Sequence, residues 1–285
     1  MTTTISVIGL GLMGRPMTRV LLAAGYDVRG WNRSPLDEAL VQGIPLCNSL
    51  AEAAQAEVCL LILADSNAVN AVLEQLEPHL TAGQVVLDMG TLDPTYSKAH
   101  ATRLAEKGIG WVDAPVSGGP EGAAAGSLAV MAGASEADFA QVEAILQTLG
   151  GNVVRVGGPG AGHTAKIINQ LIVGLTIEAV AEAITLAEAS GLDPTRVQEA
   201  LKGGFADSKV LQLHGSRMIA RRYVPGGKAT TQLKDLHLAE KLAANEGITL
   251  PHLESTIQLY ETLIAQGGGD LDHSGLHTLL GNRGV

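Results

Sequence analysis

The segment ISVIGLGLMG, residues 5–14, decides the fold of this chain. Its first four residues form a short apolar run, which is too brief for a helix and suits a buried strand. Three glycines follow with the spacing Gly-x-Gly-x-x-Gly, and residues 15–24 then have a helical pattern that ends at Gly25. A strand, this glycine spacing and a helix together indicate a dinucleotide-binding turn, in which the backbone approaches a pyrophosphate at the helix N-terminus. A glycine-rich turn that binds nothing is the alternative.

The composition of the chain indicates a globular protein. It has 285 residues, of which 46% are apolar and 17% are charged, and this length is sufficient for two domains. The formal net charge is −10 and aromatic residues make up 3% of the chain, so nucleic acid would be repelled and would find few side chains to stack on. We therefore expect no nucleic-acid partner.

Cysteine usage and hydropathy indicate a cytoplasmic protein. Cys47 and Cys59 have no metal-ligand spacing and fit a reduced compartment. The first apolar run has no basic segment before it and breaks at Gly9, so no secretory signal is predicted. The most apolar long segment, Ile167–Ala189, contains three glutamates, so we expect a helix buried in protein and no membrane association.

The two halves of the chain have different patterns. In the first half, strands are predicted at Ile5–Ile8, Asp27–Trp31, Val58–Leu63, Val85–Asp88, Gly110–Asp113, Leu128–Ala132 and Asn152–Val156, and helices between them at Ala68–Leu80, Thr95–Lys107 and Glu136–Leu149. This alternation is typical of a Rossmann domain, a doubly wound α/β fold with a mostly parallel sheet.

After the glycine-rich residues 157–162, the pattern becomes entirely helical. The predicted helices are His163–Ser190, Thr195–Lys202, Ser208–Arg221, Thr231–Asn245 and Leu253–Gln266. We therefore predict a Rossmann domain over residues 1–162 that binds a dinucleotide, whose identity residues 31–34 indicate. An all-helical domain for substrate binding and oligomerisation is predicted over residues 163–285.

The end of the second predicted strand indicates which nicotinamide cofactor is bound. NAD sites of this type usually have an acidic residue about 20 residues after the glycines, on the ribose hydroxyl. Here the strand ends in Trp31-Asn32-Arg33-Ser34, without an acid. Asn32 leaves room for a 2′-phosphate, Arg33 can pair with it and Ser34 can donate a hydrogen bond. NADP(H) is therefore the predicted preference, with NAD(H) possible, and a solvated surface arginine is the alternative.

Lys166 is the candidate catalytic residue. It lies early in the long apolar helix, and Asn169 and Gln170 follow three and four residues later on the same face. Apolar surroundings disfavour the charged form of an amine, which suits a lysine that exchanges a proton with substrate. A lysine that extends to solvent near the helix end is the alternative. His163 is a rival proton donor, although a capping or linker role fits its position better.

The sequence does not favour other chemistries. The histidines have no metal-ligand spacing, so no metal site is predicted. Neither a Gly-x-Ser-x-Gly motif nor a P-loop is present, which leaves hydrolase and phosphotransfer functions unsupported.

A second loop follows a predicted strand directly and has the sequence DAPVSGGP, residues 113–120. Ser117 supplies a hydroxyl, and Gly118 and Gly119 leave their backbone N–H groups accessible, which suits a substrate carboxylate. A structural turn is the alternative.

Five motifs together resemble those of the β-hydroxyacid dehydrogenase family, which includes 3-hydroxyisobutyrate dehydrogenase and tartronate semialdehyde reductase. They are the glycine motif, the residue 113–120 loop, Gly122–Gly133, Gly157–Gln170 and Lys234-Asp235-Leu236, and they extend in order over nearly the whole chain. The resemblance implies a Rossmann domain, a helical second domain and NAD(P)-dependent chemistry at the 3-position of a small hydroxyacid.

The resemblance also implies roles for individual residues. Lys166 would be the proton donor or acceptor, and the substrate contacts would be Ser117, Gly118, Gly119, Asn169 and Gln170. The cofactor contacts would be Gly9, Gly11, Leu12, Met13, Gly14, Asn32, Arg33, Ser34, Leu63, Ala64, Asp65, Thr91 and Lys234. The family usually has Leu-Pro where this chain has Leu63-Ala64, and serine where it has Gly90. The ending Leu271-Asp272-His273-Ser274 is closer to the tartronate semialdehyde reductase branch.

Three other functions stay open. Imine reductases on a related scaffold often replace the lysine, so Lys166 argues against them. Oxidative decarboxylation of a phosphorylated sugar acid would need a basic pocket, for which Arg217, Arg221 and Arg222 offer charge, but the chain is shorter than that family's pattern. A non-catalytic NADP-binding module is the third. The apolar helical half also predicts a homodimer or homotetramer.

Overall fold

A computed structural model describes residues 3–280 of the chain. The strands are β1 (Thr4–Ile8), β2 (Asp27–Trp31), β3 (Val58–Leu61), β4 (Val85–Asp88), β5 (Gly110–Asp113), β6 (Val116–Ser117), β7 (Leu128–Gly133) and β8 (Gly150–Gly157). The helices are α1 (Gly14–Ala23), α2 (Glu38–Val41), α3 (Leu50–Ala53), α4 (Ser66–Leu76), α5 (Pro94–Ala105), α6 (Gly119–Ala125), α7 (Glu136–Leu149), α8 (Ala161–Ala189), α9 (Pro194–Leu201), α10 (Lys209–Ile219), α11 (Ala229–Asn245) and α12 (Pro251–Leu263). Short 3₁₀ helices lie at Glu77–His79 and His273–Leu279, and a π-helical turn lies at Ile264–Gly268.

The eight strands form one sheet in the order β2-β1-β3-β4-β5-β7-β6, and β8 pairs with β7. Strands β1 to β5 are parallel, as the alternation of strands and helices predicted. The Rossmann fold class is thereby confirmed. Strand β7 is antiparallel to β5 and β6, which the sequence pattern did not predict. The two-residue β6 lacks the length for any periodic signal.

Alternate residues of the central strands enter two separate apolar cores. Ile5 and Val7 of β1 belong to one core, whereas Ile8 belongs to the other. In β3, Leu60 and Leu61 divide in the same way. Successive side chains of a strand point to opposite faces, so both faces of the sheet are covered and the parallel strands are apolar throughout. This arrangement directs the carboxyl ends of the strands, with their loops, to one edge.

The residues from Ile167 onward form a second compact unit, and those up to Lys166 form the first. The division lies four residues later than the predicted boundary after Gly162. The reason is that the first turn of α8 packs on the sheet: a Cβ atom at Gly162 would overlap the carbonyl oxygens of Asp113 and Met131. The start of the long helix therefore belongs to the sheet unit.

The second unit is helical, from Ile167 to the last described residue. Its apolar core includes Ile177 of α8, Leu236 of α11 and Tyr260 of α12. Between residues 167 and 280 there is no strand, only an isolated bridge between Lys228 and Asp272. Within residues 3–280, α8 is the one helix that is long and apolar enough to cross a membrane, by length and composition alone, and core helices of soluble proteins pass the same test.

Candidate active site

The glycine loop between β1 and α1 has two packed glycines and one open glycine. A Cβ atom at Gly9 would overlap the carbonyl oxygen of Ile62, and one at Gly14 would overlap that of Gly9. A Cβ atom at Gly11 would instead meet no atom within 4 Å. Packing therefore accounts for Gly9 and Gly14, whereas the space beside Gly11 is available for a ligand to approach the backbone.

The N-terminus of α1 faces this open space with its backbone donors. The residue before the helix is Met13, and among the described residues no side chain caps the helix and no acid lies in its first turn. The first N–H groups of a helix have no intrahelical acceptor, and together with the helix dipole they favour an anion. Leu12 is 53% exposed at the loop tip. This end of α1 is suited to a pyrophosphate.

Of the three residues after β2, Asn32 is held by hydrogen bonds within the protein, whereas Arg33 and Ser34 are exposed. The Asn32 carbonyl oxygen accepts a hydrogen bond from the Leu10 N–H at 3.1 Å, and its amide donates to the Ser34 carbonyl oxygen at 2.7 Å. Asn32 therefore fixes the glycine loop to the end of β2. The Arg33 and Ser34 side chains are exposed at the same edge. No acidic residue occupies the tip of β2.

The loops after β3 and β4 contain the other predicted cofactor residues. Leu63 and Ala64 follow β3, and Asp65 caps α4, because its carboxylate accepts a hydrogen bond from the Ala68 N–H at 2.9 Å. Thr91 is half-buried in the loop after β4. All these residues lie at the carboxyl edge of the sheet, where ligands of open α/β sheets bind.

The predicted carboxylate loop has a backbone that requires glycine. Ser117 ends β6, and Gly118 and Gly119 follow with φ values of +141° and +66°, which other residues rarely adopt. The Ser117 side chain is half-buried. A Cβ atom at Gly119 would lie 3.2 Å from the Glu121 carboxylate, so an acidic group borders this loop.

Lys166 is buried in the sheet unit. It lies in the second turn of α8, and 7% of the residue is exposed. Lysine is almost never buried to this extent unless it is paired, so an ordinary solvated lysine near a helix end does not describe it.

Sequence reasoning missed the cluster that Asp88, Asp113 and His163 form, three buried ionisable residues of which His163 lies about one turn before Lys166 in α8. His163 Nε2 lies 3.2 Å from Asp88 Oδ2, and His163 Nδ1 lies 3.8 Å from Asp113 Oδ2. All three side chains are fully buried. The available signal was that the apolar strands VVLD and GWVD each end in aspartate. His163 is therefore a core residue between two carboxylates, and the predicted capping or linker role was wrong.

In the helical unit, four residues named from the resemblance form one hydrogen-bonded chain. The Asn169 amide donates to the Gln170 carbonyl oxygen at 2.9 Å, and the Gln170 amide donates to Asp235 Oδ2 at 2.7 Å. Lys234 Nζ lies 3.2 Å from Asp235 Oδ1. Hydrogen bonds between these side chains therefore connect α8, near residues 169 and 170, to α11.

Two further residues belong to this network: Gln232, which had no sequence signal, and His273, which the sequence analysis named only as part of the ending at residues 271–274. The Gln232 amide donates to the Gln170 backbone carbonyl oxygen at 3.0 Å, and its own carbonyl oxygen lies 3.1 Å from His273 Nδ1. Gln232 is 1% exposed, so its hydrogen bonds replace those it would make with water. Only the folded structure brings together residues from three separate segments.

A second polar cluster in the helical unit includes possible metal ligands. The ligand atoms of His214, Asp272 and His273 lie within 4.8 Å of one another. However, Arg217 Nη1 lies 2.6 Å from Asp272 Oδ2, and the Gly226 N–H donates to the same oxygen at 2.9 Å. A guanidinium in this position neutralises the carboxylate and opposes a divalent cation. The cluster is suited to structural cross-linking.

The sheet unit therefore fits a dinucleotide. Gly11 provides open space, α1 provides N–H donors, and the loops with Arg33 and Thr91 lie at the same edge of the sheet. A buried lysine follows at the start of α8. These features define the class of protein as an NAD(P)-dependent oxidoreductase.

Comparison with known proteins gives the family. The profile for the NAD binding domain of 6-phosphogluconate dehydrogenase matches residues 4–158, and that for the NAD-binding region of NADP-dependent 3-hydroxyisobutyrate dehydrogenase matches residues 160–280. The chain is 40% identical over 274 residues to the 2-hydroxy-3-oxopropionate reductase of Escherichia coli, which covers 94% of each chain. It is 35% identical to the 2-(hydroxymethyl)glutarate dehydrogenase of Eubacterium barkeri, over 95% of this chain and 92% of the relative.

A solved structure agrees with these relatives. The 3-hydroxyisobutyrate dehydrogenase of Mycobacterium tuberculosis, determined with L-serine, superposes with a TM-score of 0.88 at 29% identity, over 99% of this chain and all of that one. The chain belongs to the β-hydroxyacid dehydrogenase family, and it is a nicotinamide-dependent oxidoreductase. The family resemblance carried by the five sequence motifs is confirmed.

Proposed function

We propose that this enzyme is a 2-hydroxy-3-oxopropionate (tartronate semialdehyde) reductase. The observation that carries the proposal is the 40% identity to the Escherichia coli reductase of that name over 94% of both chains. A second candidate is 3-hydroxyisobutyrate oxidation, which the second profile and the Mycobacterium tuberculosis structure favour. Both reactions interconvert a small 3-hydroxyacid and its semialdehyde, so the same residues serve either one.

Lys166 is the proposed acid–base residue. The nicotinamide, when bound, supplies or accepts the hydride. During reduction, the ammonium form of Lys166 donates a proton to the carbonyl oxygen of the substrate, and during oxidation the neutral amine takes a proton from the hydroxyl. Its burial supports this role, because a proton donor away from bulk water acts more strongly on the charge that develops on oxygen.

The proposed substrate contacts come from two segments, the loop at residues 117–119 and the amide side chains at residues 169 and 170 of α8. Ser117, Gly118 and Gly119 hold the carboxylate through the hydroxyl and the backbone N–H groups. Asn169 and Gln170 orient the substrate. The hydrogen bond from Gln170 to Asp235 supports a fixed side chain at that position.

NADP(H) is the proposed cofactor. Arg33 is exposed beside the end of β2, and Asn32 stands where an acid would bind the ribose hydroxyl of NAD. The guanidinium can pair with a 2′-phosphate. The remaining proposed cofactor contacts are Gly9, Gly11, Leu12, Met13, Gly14, Ser34, Leu63, Ala64, Asp65, Thr91 and Lys234.

The test is a steady-state assay of both candidate reactions with both cofactors. We expect the highest kcat/KM for 2-hydroxy-3-oxopropionate with NADPH, and a loss of about 10²–10⁴-fold in Lys166→Ala. Lys107→Ala is the matched control, because the Lys107 amine is half-exposed and pairs with Glu77 at 2.8 Å. Higher kcat/KM for 3-hydroxyisobutyrate would favour the second candidate, and near-parent turnover by Lys166→Ala would contradict the assigned role.

We also propose that the enzyme is a homodimer or homotetramer in the cytoplasm. One face of α8 exposes Ile168, Ile172 and Leu186, which are 50%, 61% and 68% exposed. Exposed apolar residues spaced along one helix face support contact with a second copy. Light scattering should give a mass of two or four chains, and Ile172→Glu should reduce it. A monomer at micromolar concentration would contradict this proposal.

A further inference from the structure

Two aspartates lie side by side where adjacent strands end. Asp88 is the last residue of β4 and Asp113 is the last residue of β5, and they are direct partners in the parallel register. Both side chains are fully buried. Two carboxylates in one buried place disfavour each other's charged form unless a cation or hydrogen-bond donors compensate.

The His163 ring faces both of these carboxylates. Its ring lies between the carboxylates, with Nε2 3.2 Å from Asp88 and Nδ1 3.8 Å from Asp113. Burial raises the pKa of the Asp113 carboxyl, and the nearby imidazole opposes this rise. The two ring nitrogens of His163 each face one carboxylate, and an apolar side chain of the same size would remove both of these contacts.

Each carboxylate also holds a backbone segment of the predicted active site. Asp113 accepts hydrogen bonds from the Gly160 N–H at 2.7 Å and the His163 N–H at 3.0 Å, at the N-terminus of α8. Asp88 accepts one from the Gly90 N–H at 3.1 Å, in the loop that leads to Thr91. The imidazole therefore links the loop after β4 with the first turn of the long helix.

Close backbone packing leaves that first turn little freedom. Cβ atoms at Gly133 and Gly162 would both overlap neighbouring backbone atoms, so the helix rests directly on β5 and β7. Lys166 follows His163 by three residues, within one turn of α8. The position of the Lys166 backbone is consequently tied to contacts that converge on Asp113, the carboxylate beside His163.

We propose that His163 is a positioning residue, which through Asp88 and Asp113 holds Lys166 in register with the loop after β4. This inference rests on the acid–base role given above to Lys166. In this role the fully buried imidazole positions Lys166 and does not exchange a proton with the substrate. A misplacement of about 1 Å at a reacting group costs on the order of 10²-fold in rate, so an apolar residue at position 163 should lower kcat strongly.

The experiment is a double-mutant cycle on the full-length enzyme. The variants are His163→Leu, Lys166→Ala and both together, with His163→Gln as the conservative variant, since its amide keeps a polar N–H group at this position. Leu146→Ala on α7 is the control, because Leu146 is fully buried in the sheet unit but lies outside the cluster. The measurements are kcat, KM, the isotope effect with 4-deuterated cofactor, and amide hydrogen exchange over residues 160–166.

In His163→Leu we expect kcat to fall by about 10²-fold. The isotope effect should increase, because the chemical step becomes rate-limiting. Amide hydrogen exchange over residues 160–166 should become faster. His163→Gln should recover most of the kcat. In the Lys166→Ala background, His163→Leu should cost less than about twofold, because residues that act as a unit are not additive. Leu146→Ala should change only stability.

The outcomes separate this inference from the proposed function. Near-parent turnover by Lys166→Ala overturns the role of Lys166 and, with it, the positioning role of His163. A large loss in Lys166→Ala combined with an additive loss from His163→Leu overturns only the positioning role, as does an equal loss in Leu146→Ala. If His163→Leu does not fold, the same double-mutant cycle is measured with the isosteric variant Asp88→Asn in its place. An additive loss in that cycle would likewise overturn the positioning role of His163.

Discussion

Substitution of alanine for two glycines of the same loop should have opposite consequences. Gly11→Ala adds a methyl group where no protein atom lies within 4 Å, and Gly11 does not have a positive φ. The stability of the apo protein should therefore change by less than about 1 kcal/mol. In Gly14→Ala, the added methyl overlaps the carbonyl oxygen of Gly9, so we expect a loss of about 3 kcal/mol or a failure to fold.

Although Gly11→Ala should hardly change stability, it should weaken cofactor binding strongly. The methyl would occupy the space through which a pyrophosphate approaches the loop backbone. Loss of one hydrogen bond to a charged oxygen costs about 1.5–3 kcal/mol, which corresponds to a Kd increase of about 10- to 150-fold. The assay is titration of NADPH fluorescence, together with urea unfolding of the apo protein at pH 7.

Two results would refute this reasoning. Parent-like NADPH affinity in Gly11→Ala would mean that the open space beside Gly11 is not the pyrophosphate site. Parent-like stability in Gly14→Ala would mean that the helix start is not packed on the loop. Arg19→Ala serves as a control for non-specific effects on α1, since its exposed guanidinium donates a hydrogen bond to the Leu40 carbonyl oxygen at 2.8 Å.

Three further predictions concern charge and buried hydrogen bonds. Arg33→Ser should lower kcat/KM for NADPH by about tenfold or more and leave that for NADH nearly unchanged, and an equal loss with both cofactors would contradict the 2′-phosphate contact. Burial alone would raise the pKa of Asp272, but hydrogen bonds and the nearby imidazole of His273 hold this pKa well below its usual range. The contribution of the Asp272 carboxylate to folding stability is therefore present above about pH 4 and is lost as the pH falls. Asp272→Asn should therefore cost about 3–5 kcal/mol in urea unfolding at pH 7 and less at acidic pH, because it removes the buried ion pair between Arg217 and Asp272. Tyr260→Phe should cost about 1 kcal/mol, since the buried hydroxyl donates to the His273 carbonyl oxygen at 3.0 Å, and an unchanged unfolding midpoint would exclude that contribution.

Local patterns were sufficient for the longer strands and helices of the sheet unit, but not for the short elements β6, α2, α3 and α6. The predicted strands Asp27–Trp31, Val85–Asp88 and Gly110–Asp113 coincide with β2, β4 and β5. Short apolar runs between helices specify buried parallel strands because such strands face a core on both sides. The glycine spacing likewise specified the turn, since backbone packing at Gly9 and Gly14 leaves no room for a side chain.

Pairing between distant segments was not available from these patterns. The sequence gives no sign that Asp88 and Asp113 are register partners, or that His163 lies between them, because strand register depends on packing of the whole sheet. The antiparallel direction of β7 was missed for the same reason.

By itself, then, the amino-acid sequence determined the alternation of strands and helices, the glycine turn, the family and the position of Lys166 in the chain. The tertiary structure alone decided that this lysine is buried and that Gln170 bonds to Asp235, 65 residues away. The physical reason is that propensity and periodicity act over a few neighbouring residues, whereas burial and polar pairing depend on which distant segments pack together.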